Sequence, residues 1–241
     1  MSESISIAIP AFNEEATIES VVNEALGVLQ SLTAEYEVLV IDDGSTDNTG
    51  MIADHLASAN HRVRVVHHPR NMGFTGAIKS CYENALCDLV FLAPADRQVD
   101  LSELCNFTDL IDDCDIVVGH RFRRSEPFYR SFNSRGFHLL CRIFFGIKLR
   151  EISLCTLYRR WVLQAITIES RPGSALIQPE VMYKAMKMGC RIKEVEMSHY
   201  PRAGGKSKGA NPGMIIRTLI EMLRLWWKQR YETKREIGRT Q

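Results

Sequence analysis

Along the first half of the chain, apolar residues come in short runs that stop abruptly at turn-forming or acidic positions. Ser6 to Ile9 stops at Pro10, Val38 to Ile41 breaks at Asp42-Asp43-Gly44, and Leu89 to Leu92 ends at Ala93-Pro94. Val63 to Val66 and Ile116 to Val118 are two further runs, the second ending at Gly119. Runs of this length between turn signals predict buried strands. Between them the apolar spacing becomes helical. Ile18, Val21, Val22, Ala25, Leu26 and Leu29 share one face of a predicted helix from Glu14 to Leu32. Asn13 would cap it, with Glu14 and Glu15 at its positive end. Ile52 to Leu56 lies on a second predicted helix, and another begins near Thr75. Strands alternating with amphipathic helices predict an α/β fold, a mostly parallel central sheet with helices on both faces. Each distinctive polar cluster follows the C-terminal end of a strand, the edge where open α/β sheets bind ligands.

The second half is less regular. Scattered aromatic and basic residues from Phe128 to Phe145 predict a helix over the site rather than another sheet unit. Pro179 to Met188 reads as a helix and Ile192 to Met197 as a strand. A glycine-rich loop, Ala203-Gly204-Gly205, then leads to a helix from Pro212 to Tyr231. Residues 1–210 are expected to form one domain, and 211–241 an amphipathic helix and tail. On that helix Met214, Leu219, Ile220, Leu223, Trp226 and Trp227 make an apolar stripe, with Arg217, Arg224, Lys228 and Arg230 beside it. Such a stripe suits a membrane interface, and equally a helix packed on the protein's own core.

The 241 residues suffice for one large domain with an appendage. Thirty basic against 29 acidic side chains leave no global field that would recruit nucleic acid. Seven cysteines without a CxxC pair point to buried, reduced thiols. No secretory signal is evident and no stretch approaches the ~18 apolar residues of a membrane span. The expected location is cytoplasmic, peripheral on the cytosolic membrane face.

Two clusters carry the first chemistry. In Ile9-Pro10-Ala11-Phe12-Asn13-Glu14-Glu15 a strand turns into an acid-rich helix start, which can present backbone groups and a carboxylate to a ribose or base. In Asp42-Asp43-Gly44-Ser45-Thr46-Asp47 two adjacent carboxylates sit at a strand end, where they can accept hydrogen bonds from a base or sugar hydroxyl. A capped helix and an ordinary Asp-Gly turn would explain each cluster alone. Their occurrence on successive strands favours ligand binding.

These motifs resemble family 2 glycosyltransferases with the GT-A fold. Asn71-Met72-Gly73, followed by Gly76-Ala77, resembles that family's asparagine-x-glycine turn into a helix. Gly119-His120-Arg121 resembles its glycine-serine-arginine. His199-Tyr200-Pro201-Arg202 and Gly205-Lys206-Ser207-Lys208 resemble the tail loop of dolichyl or polyprenyl phosphate mannose synthases. The resemblance runs from about Ile5 to Lys208. It implies an inverting transferase with a nucleotide-diphosphate sugar donor and Mg²⁺ or Mn²⁺. By the same resemblance Pro10, Phe12, Asn13, Glu14, Asp42, Asp43, Ala95 and Asp96 would bind the nucleotide sugar.

The chain departs from the family pattern in two places. Where the family has two aspartates one residue apart, Ala93-Pro94-Ala95-Asp96-Arg97-Gln98 has Pro94 in the first position. Asp96 and Gln98 are then the metal ligands, and diphosphate oxygens and water would complete the shell. From Leu149 to Arg160 the family's aspartate and glycine are missing, and Glu151 stands in for the aspartate. This segment is expected to shape the sugar or acceptor pocket.

Loss of a nucleotide diphosphate needs charge aimed at the departing group. Asp96, Arg121, Arg202 and Lys206 are the expected catalytic residues, with Gly204-Gly205 letting the tail loop close. A hydroxyl acceptor would require a general base, whereas a polyprenyl phosphate is already anionic. The basic tail favours a lipid-phosphate acceptor. By the same resemblance Glu180 is the one carboxylate matching a family position that would serve as base or else orient neighbouring helices. The partners expected are the nucleotide-diphosphate sugar, a lipid phosphate, and a membrane surface or membrane-spanning partner. The alternatives are transfer to a soluble or polysaccharide hydroxyl, and a non-catalytic nucleotide-sugar-binding subunit.

Overall fold

The computed structural model describes residues 3–121, 128–152, 155–200 and 212–237. The first strands and helices fall where the apolar pattern puts them: β1 (Ile5–Ala11), α1 (Ile18–Leu32), β2 (Tyr36–Asp42), α2 (Thr49–Ala59), β3 (Val63–His67), α3 (Gly73–Asn84) and β4 (Leu89–Leu92). After a short 3-10 turn (Leu101–Glu103) come α4 (Leu104–Ile111), β5 (Ile116–Arg121), α5 (Phe128–Phe145), β6 (Thr156–Arg159), α6 (Arg160–Ala165), α7 (Ile177–Lys187), β7 (Ile192–Met197) and α8 (Pro212–Ile237).

Seven strands form one sheet in the order β3-β2-β1-β4-β6-β5-β7. β1 pairs in parallel with β2 on one side and β4 on the other. The strand order therefore reverses at β1, which opens a crevice between the C-terminal ends of β1 and β4. Only β6 runs antiparallel, between β4 and β5.

Period-two alternation sends the strand side chains into two cores. Ile5, Ile7, Ile9, Val38, Val40, Leu89 and Phe91 pack beneath α1 and α4. Ala8, Leu39, Ile41, Val90, Leu92, Ile116 and Val118 pack beneath α3, α5, α6, α7 and α8. Helices thus cover both faces, as the sequence pattern requires.

Three expectations need correction. The first helix starts at Ile18 with Thr17 as its N-cap, not at Glu14. Asn13 adopts φ 54°, a left-handed conformation in the turn two residues past β1, and does not cap the helix. Within Leu149 to Arg160, where no strand was expected, Thr156–Arg159 is a central strand with partners on both sides, while Glu151 stays beside the site. Of the seven free cysteines, Cys81, Cys114, Cys141 and Cys155 are buried but Cys105 is exposed. Burial alone pushes the Cys141 thiol up to about 12, so this group stays protonated and inert.

Of the two settings expected for the last helix, packing on the protein's own core is the one its contacts show. Met222 and Leu225 are buried in the second core. Thr218 Oγ1 accepts the Ala175 amide at 3.1 Å. Glu221 pairs with Arg224 at 2.8 Å and Arg171 at 3.4 Å, and Lys228 pairs with Glu169. The opposite side is left outside the core.

Candidate active site

At the C-terminal ends of β1 and β2 the two acidic clusters are knitted together. The Asn13 side chain accepts the Thr46 amide at 2.8 Å and donates to Thr46 Oγ1 at 3.2 Å. The Asn13 amide donates to Ser45 Oγ at 3.0 Å, and the Glu14 amide to Thr49 Oγ1 at 2.8 Å. Glu15 closes the seam by accepting the Asn48 amide at 3.1 Å. The turn residues spend their side chains on each other's backbones, which fixes both loops relative to the sheet. Gly44 is needed here for two reasons. Its φ is 68°, and a Cβ would lie 2.5 Å from the Arg70 carbonyl carbon.

The two adjacent aspartates, both buried, do different things. Asp43 accepts the Met72 amide at 2.7 Å and the Gly73 amide at 2.9 Å, and pairs with His68 Nδ1 at 2.6 Å. It caps α3, the helix that Asn71-Met72-Gly73 leads into. Asp42 accepts the Ser45 amide at 3.0 Å and pairs with His67 Nδ1 at 2.9 Å. Burial raises the Asp42 pKa, but the Ser45 and His67 hydrogen bonds outweigh it and hold the carboxyl below its ordinary value. His67 also meets Asp54 at 2.9 Å, and the hydrogen bonds to Asp54 and Asp42 raise its pKa. His67 and His68 lie outside the sequence motifs, although they end and follow β3 as the aspartates end and follow β2.

Across the crevice, the loop after β4 carries Pro94, Ala95, Asp96 and Gln98. Ala93 donates to Ala8 O at 3.0 Å, which holds the start of this loop beside β1. Asp96 Oδ1 accepts the Gln98 amide at 3.2 Å, and Arg97 adopts φ 57°. Gln98 uses its side-chain nitrogen toward Tyr200 O at 3.4 Å, not the oxygen a metal would take. Tyr200 N donates to Gln98 O at 2.8 Å, and His199 bridges to Val99. The stem of the tail loop is therefore tied directly to the Asp96 loop. Arg202, Lys206 and Lys208 lie outside the described residues.

Arg121 ends β5 on the same edge, since Leu92 of β4 and Val118 of β5 flank Thr156 of β6. Its Nε sits 3.2 Å from Glu151 Oε1, and its amide donates to Glu151 Oε2 at 3.1 Å. Glu151 is buried and orients the guanidinium. Glu180 is committed elsewhere. It accepts the Glu169 and Ser170 amides at 2.7 and 2.8 Å and pairs with Lys184 at 2.6 Å. Of the two roles open to it from sequence, the orienting one has the contacts.

The sequence model of glycosyl transferase family 2 matches residues 6–177, which take in strands β1 to β6 and the loops after β1, β2 and β4. Glycosyltransferase AglD of Haloferax volcanii is 27% identical over 237 residues, covering 93% of this chain and 37% of that protein. The undecaprenyl-phosphate 4-deoxy-4-formamido-L-arabinose transferase of Shewanella sediminis is 29% identical over 209 residues, covering 85% and 61%. The chain thus spans less than two thirds of the length of both relatives. Glucosyl-3-phosphoglycerate synthase from Mycobacterium tuberculosis, crystallised with Mn²⁺, UDP and glucosyl-3-phosphoglycerate, superposes with a TM-score of 0.68. That similarity, at 21% identity over 91% of this chain and 80% of the other, bears out the GT-A fold. With most of its length inside the matched region, the chain belongs to glycosyltransferase family 2.

Proposed function

We propose that the chain transfers a sugar, with inversion, from a nucleotide-diphosphate sugar to a polyprenyl phosphate at the cytosolic membrane face. The observation that carries this reading is the tie between Gln98 and Tyr200. It brings the start of a segment rich in cations to the loop that holds Asp96. In the reaction an acceptor phosphate oxygen attacks the anomeric carbon. The bond to the diphosphate breaks on the opposite side, and its electron pair leaves with the nucleotide. Arg121, Arg202 and Lys206 oppose the negative charge gathering on the two phosphates. The Asn13, Glu14, Asp42 and Asp43 rim takes the nucleoside, with Pro10, Phe12 and Ala95 beside it.

Among the described residues no three acidic, histidine or cysteine side chains gather around a metal-sized position. Asp96 and Gln98, two residues apart on one loop, would hold a Mg²⁺ or Mn²⁺ together with donor oxygens once the Gln98 amide presents its oxygen in place of the nitrogen now turned to Tyr200. Such an ion would supply charge neutralisation of the departing diphosphate. Two relatives support the donor and the acceptor by their names: the synthase crystallised with UDP, and the undecaprenyl-phosphate transferase. The engagement of Glu180 by Ser170 and Lys184 further favours a nucleophile that needs no base. No helix among the described residues is long and apolar enough to cross a membrane.

The test uses labelled nucleotide sugars and Mn²⁺ with a polyprenyl phosphate, the matching polyprenyl alcohol, or a soluble glycan. Label extracted into organic solvent only with the phosphate is the expected result. Equal labelling of the alcohol or the glycan would overturn the acceptor assignment.

A further inference from the structure

The outer side of α8 is apolar as well as its inner side. Ile216, Ile220, Leu223 and Trp227 recur at helical spacing and are 58%, 60%, 46% and 67% exposed, with Ile215 and Leu219 beside them. A surface helix needs one apolar stripe, and Met222 and Leu225 already provide it. The neighbouring helix repeats the arrangement. Cys141 and Phe145 of α5 are buried in the same core, while Leu139 and Ile143 stand 56% and 64% exposed. A contact between the Phe144 and Trp226 rings, 5.6 Å apart, joins the two helices side by side. Both rest on one core and touch each other, so their outer faces point the same way.

We propose that the outer faces of α5 and α8 form one ledge that seats the protein on an anionic bilayer. The charge around the ledge selects this occupant. Arg217, Arg224 and Lys228 follow one another along α8 between its apolar outer face and its buried face, Arg224 and Lys228 also pairing inward with Glu221 and Glu169. Arg230 lies over the Trp226 ring at 4.9 Å, and Arg142 is exposed beside Ile143 on α5. Cations bordering tryptophan and aliphatic side chains match the headgroup boundary of a bilayer with acidic lipids. A second copy of the chain would bring the same cations against each other in a self-complementary interface. The N-terminal half of α8, at Arg217, also reaches the active-site edge. A Cβ on Gly173 would lie 3.1 Å from an Arg217 nitrogen, and one on Gly73 3.7 Å from the Gly173 amide. Docking would thus hold the α3 end of the catalytic edge close to the lipid surface.

The inference deepens the reading of a membrane acceptor, but its test contains neither donor nor acceptor. The protein is floated with vesicles of phosphatidylcholine, or of phosphatidylcholine with about one third phosphatidylglycerol. Wild type is expected to float with the acidic vesicles, and the Ile220→Glu/Trp227→Glu variant to lose at least about tenfold in partitioning. Met51→Glu, an exposed change on α2 across the sheet, should float as wild type does. Circular dichroism verifies that the variants are folded. Equal flotation of wild type and the double variant, or equal binding to neutral vesicles, would overturn the proposal. So would a wild-type dimer that the double variant abolishes. Failure here with lipid-phosphate transfer intact would leave the acceptor assignment standing, and the reverse pattern would remove the acceptor while keeping the ledge.

Discussion

The two rims of the crevice are built in different ways. On the β1–β2 side, Asn13, Glu15, Asp42, Asp43, Ser45 and Thr49 hold each other and the start of α3 through a dense set of short hydrogen bonds. On the β4–β5 side, Asp96 and Gln98 stand on a short loop tied to the Tyr200 stem, and Arg121 leans on one buried carboxylate. The first rim is preorganised by the fold itself. The second is assembled from separate pieces of chain. A rim that receives a nucleoside gains affinity from rigidity, whereas one that must admit a donor and then enclose two phosphates gains from pieces that can rearrange. It follows that damage to the first rim should register as lost stability, and damage to the second as lost turnover.

The largest effect is expected at Asp43. Truncation to alanine strips the acceptor from two backbone amides and from His68, and hydrogen bonds to a charged group contribute ~1.5–3 kcal/mol each. Asp43→Ala should lower the unfolding free energy by about 3 kcal/mol, read as a shift of the urea midpoint at constant slope. A change below about 1 kcal/mol would show that this rim does not depend on its carboxylate. Lys206→Ala should do the opposite. It should cut kcat/KM by more than about tenfold, ~1.4 kcal/mol, while stability moves by less than ~0.5 kcal/mol. Lys208→Ala should matter less, mainly as a salt-sensitive weakening of acceptor capture.

Glu151→Gln sharpens the comparison, since it keeps the shape beside Arg121 and removes the charge that orients it. A fall in kcat of about fivefold, ~1 kcal/mol, with KM for the donor nearly unchanged is expected. A matching rise in KM would assign Arg121 to ground-state binding instead. The smallest effect is at His67. Its pKa is raised by Asp54 and Asp42, so its stabilisation is complete below its ordinary value of 6.5 and fades as pH rises through the higher folded value. Asp42, whose pKa is lowered, loses its share only as pH falls below its ordinary 3.8. The pair is therefore strongest in mildly acidic solution. With His67 half exposed, the loss above neutrality should stay near ~0.5 kcal/mol. A pH series of melting temperatures should show it in wild type and not in His67→Gln.

The same contrast governs how much of the molecule is legible in the sequence. The rim on β1 and β2 announces itself, because its strands are unbroken apolar runs and its turns need Asp, Asn and Gly at fixed places. The division of labour there is not legible: Asp42 and Asp43 look alike until His67, His68 and the start of α3 are placed around them. Asn13 looked like a helix cap because Ser, Thr, Asn and Asp serve both caps and turns, and only its φ of 54° separates the two. Strand β6 is four residues long, Thr-Leu-Tyr-Arg, with neither clear alternation nor a turn signal, and its burial comes from neighbours distant in sequence. The α4 helix, eight residues long, is too short to show a clear helical period in the sequence. For α8 the stripe was legible but its setting was not, since apolar residues on two sides blur into one pattern until the core claims Met222 and Leu225.

The division between the rims, and the transfer chemistry placed on the second, meet most directly at Asp96. Binding of the nucleoside monophosphate would be measured by calorimetry for wild type and Asp96→Ala, beside transfer from the nucleotide sugar to a polyprenyl phosphate with Mn²⁺. The expected result is unchanged monophosphate affinity with transfer lowered by at least about a hundredfold, ~2.7 kcal/mol, and no longer responsive to Mn²⁺. Near-wild-type, Mn²⁺-dependent transfer by Asp96→Ala would contradict the account.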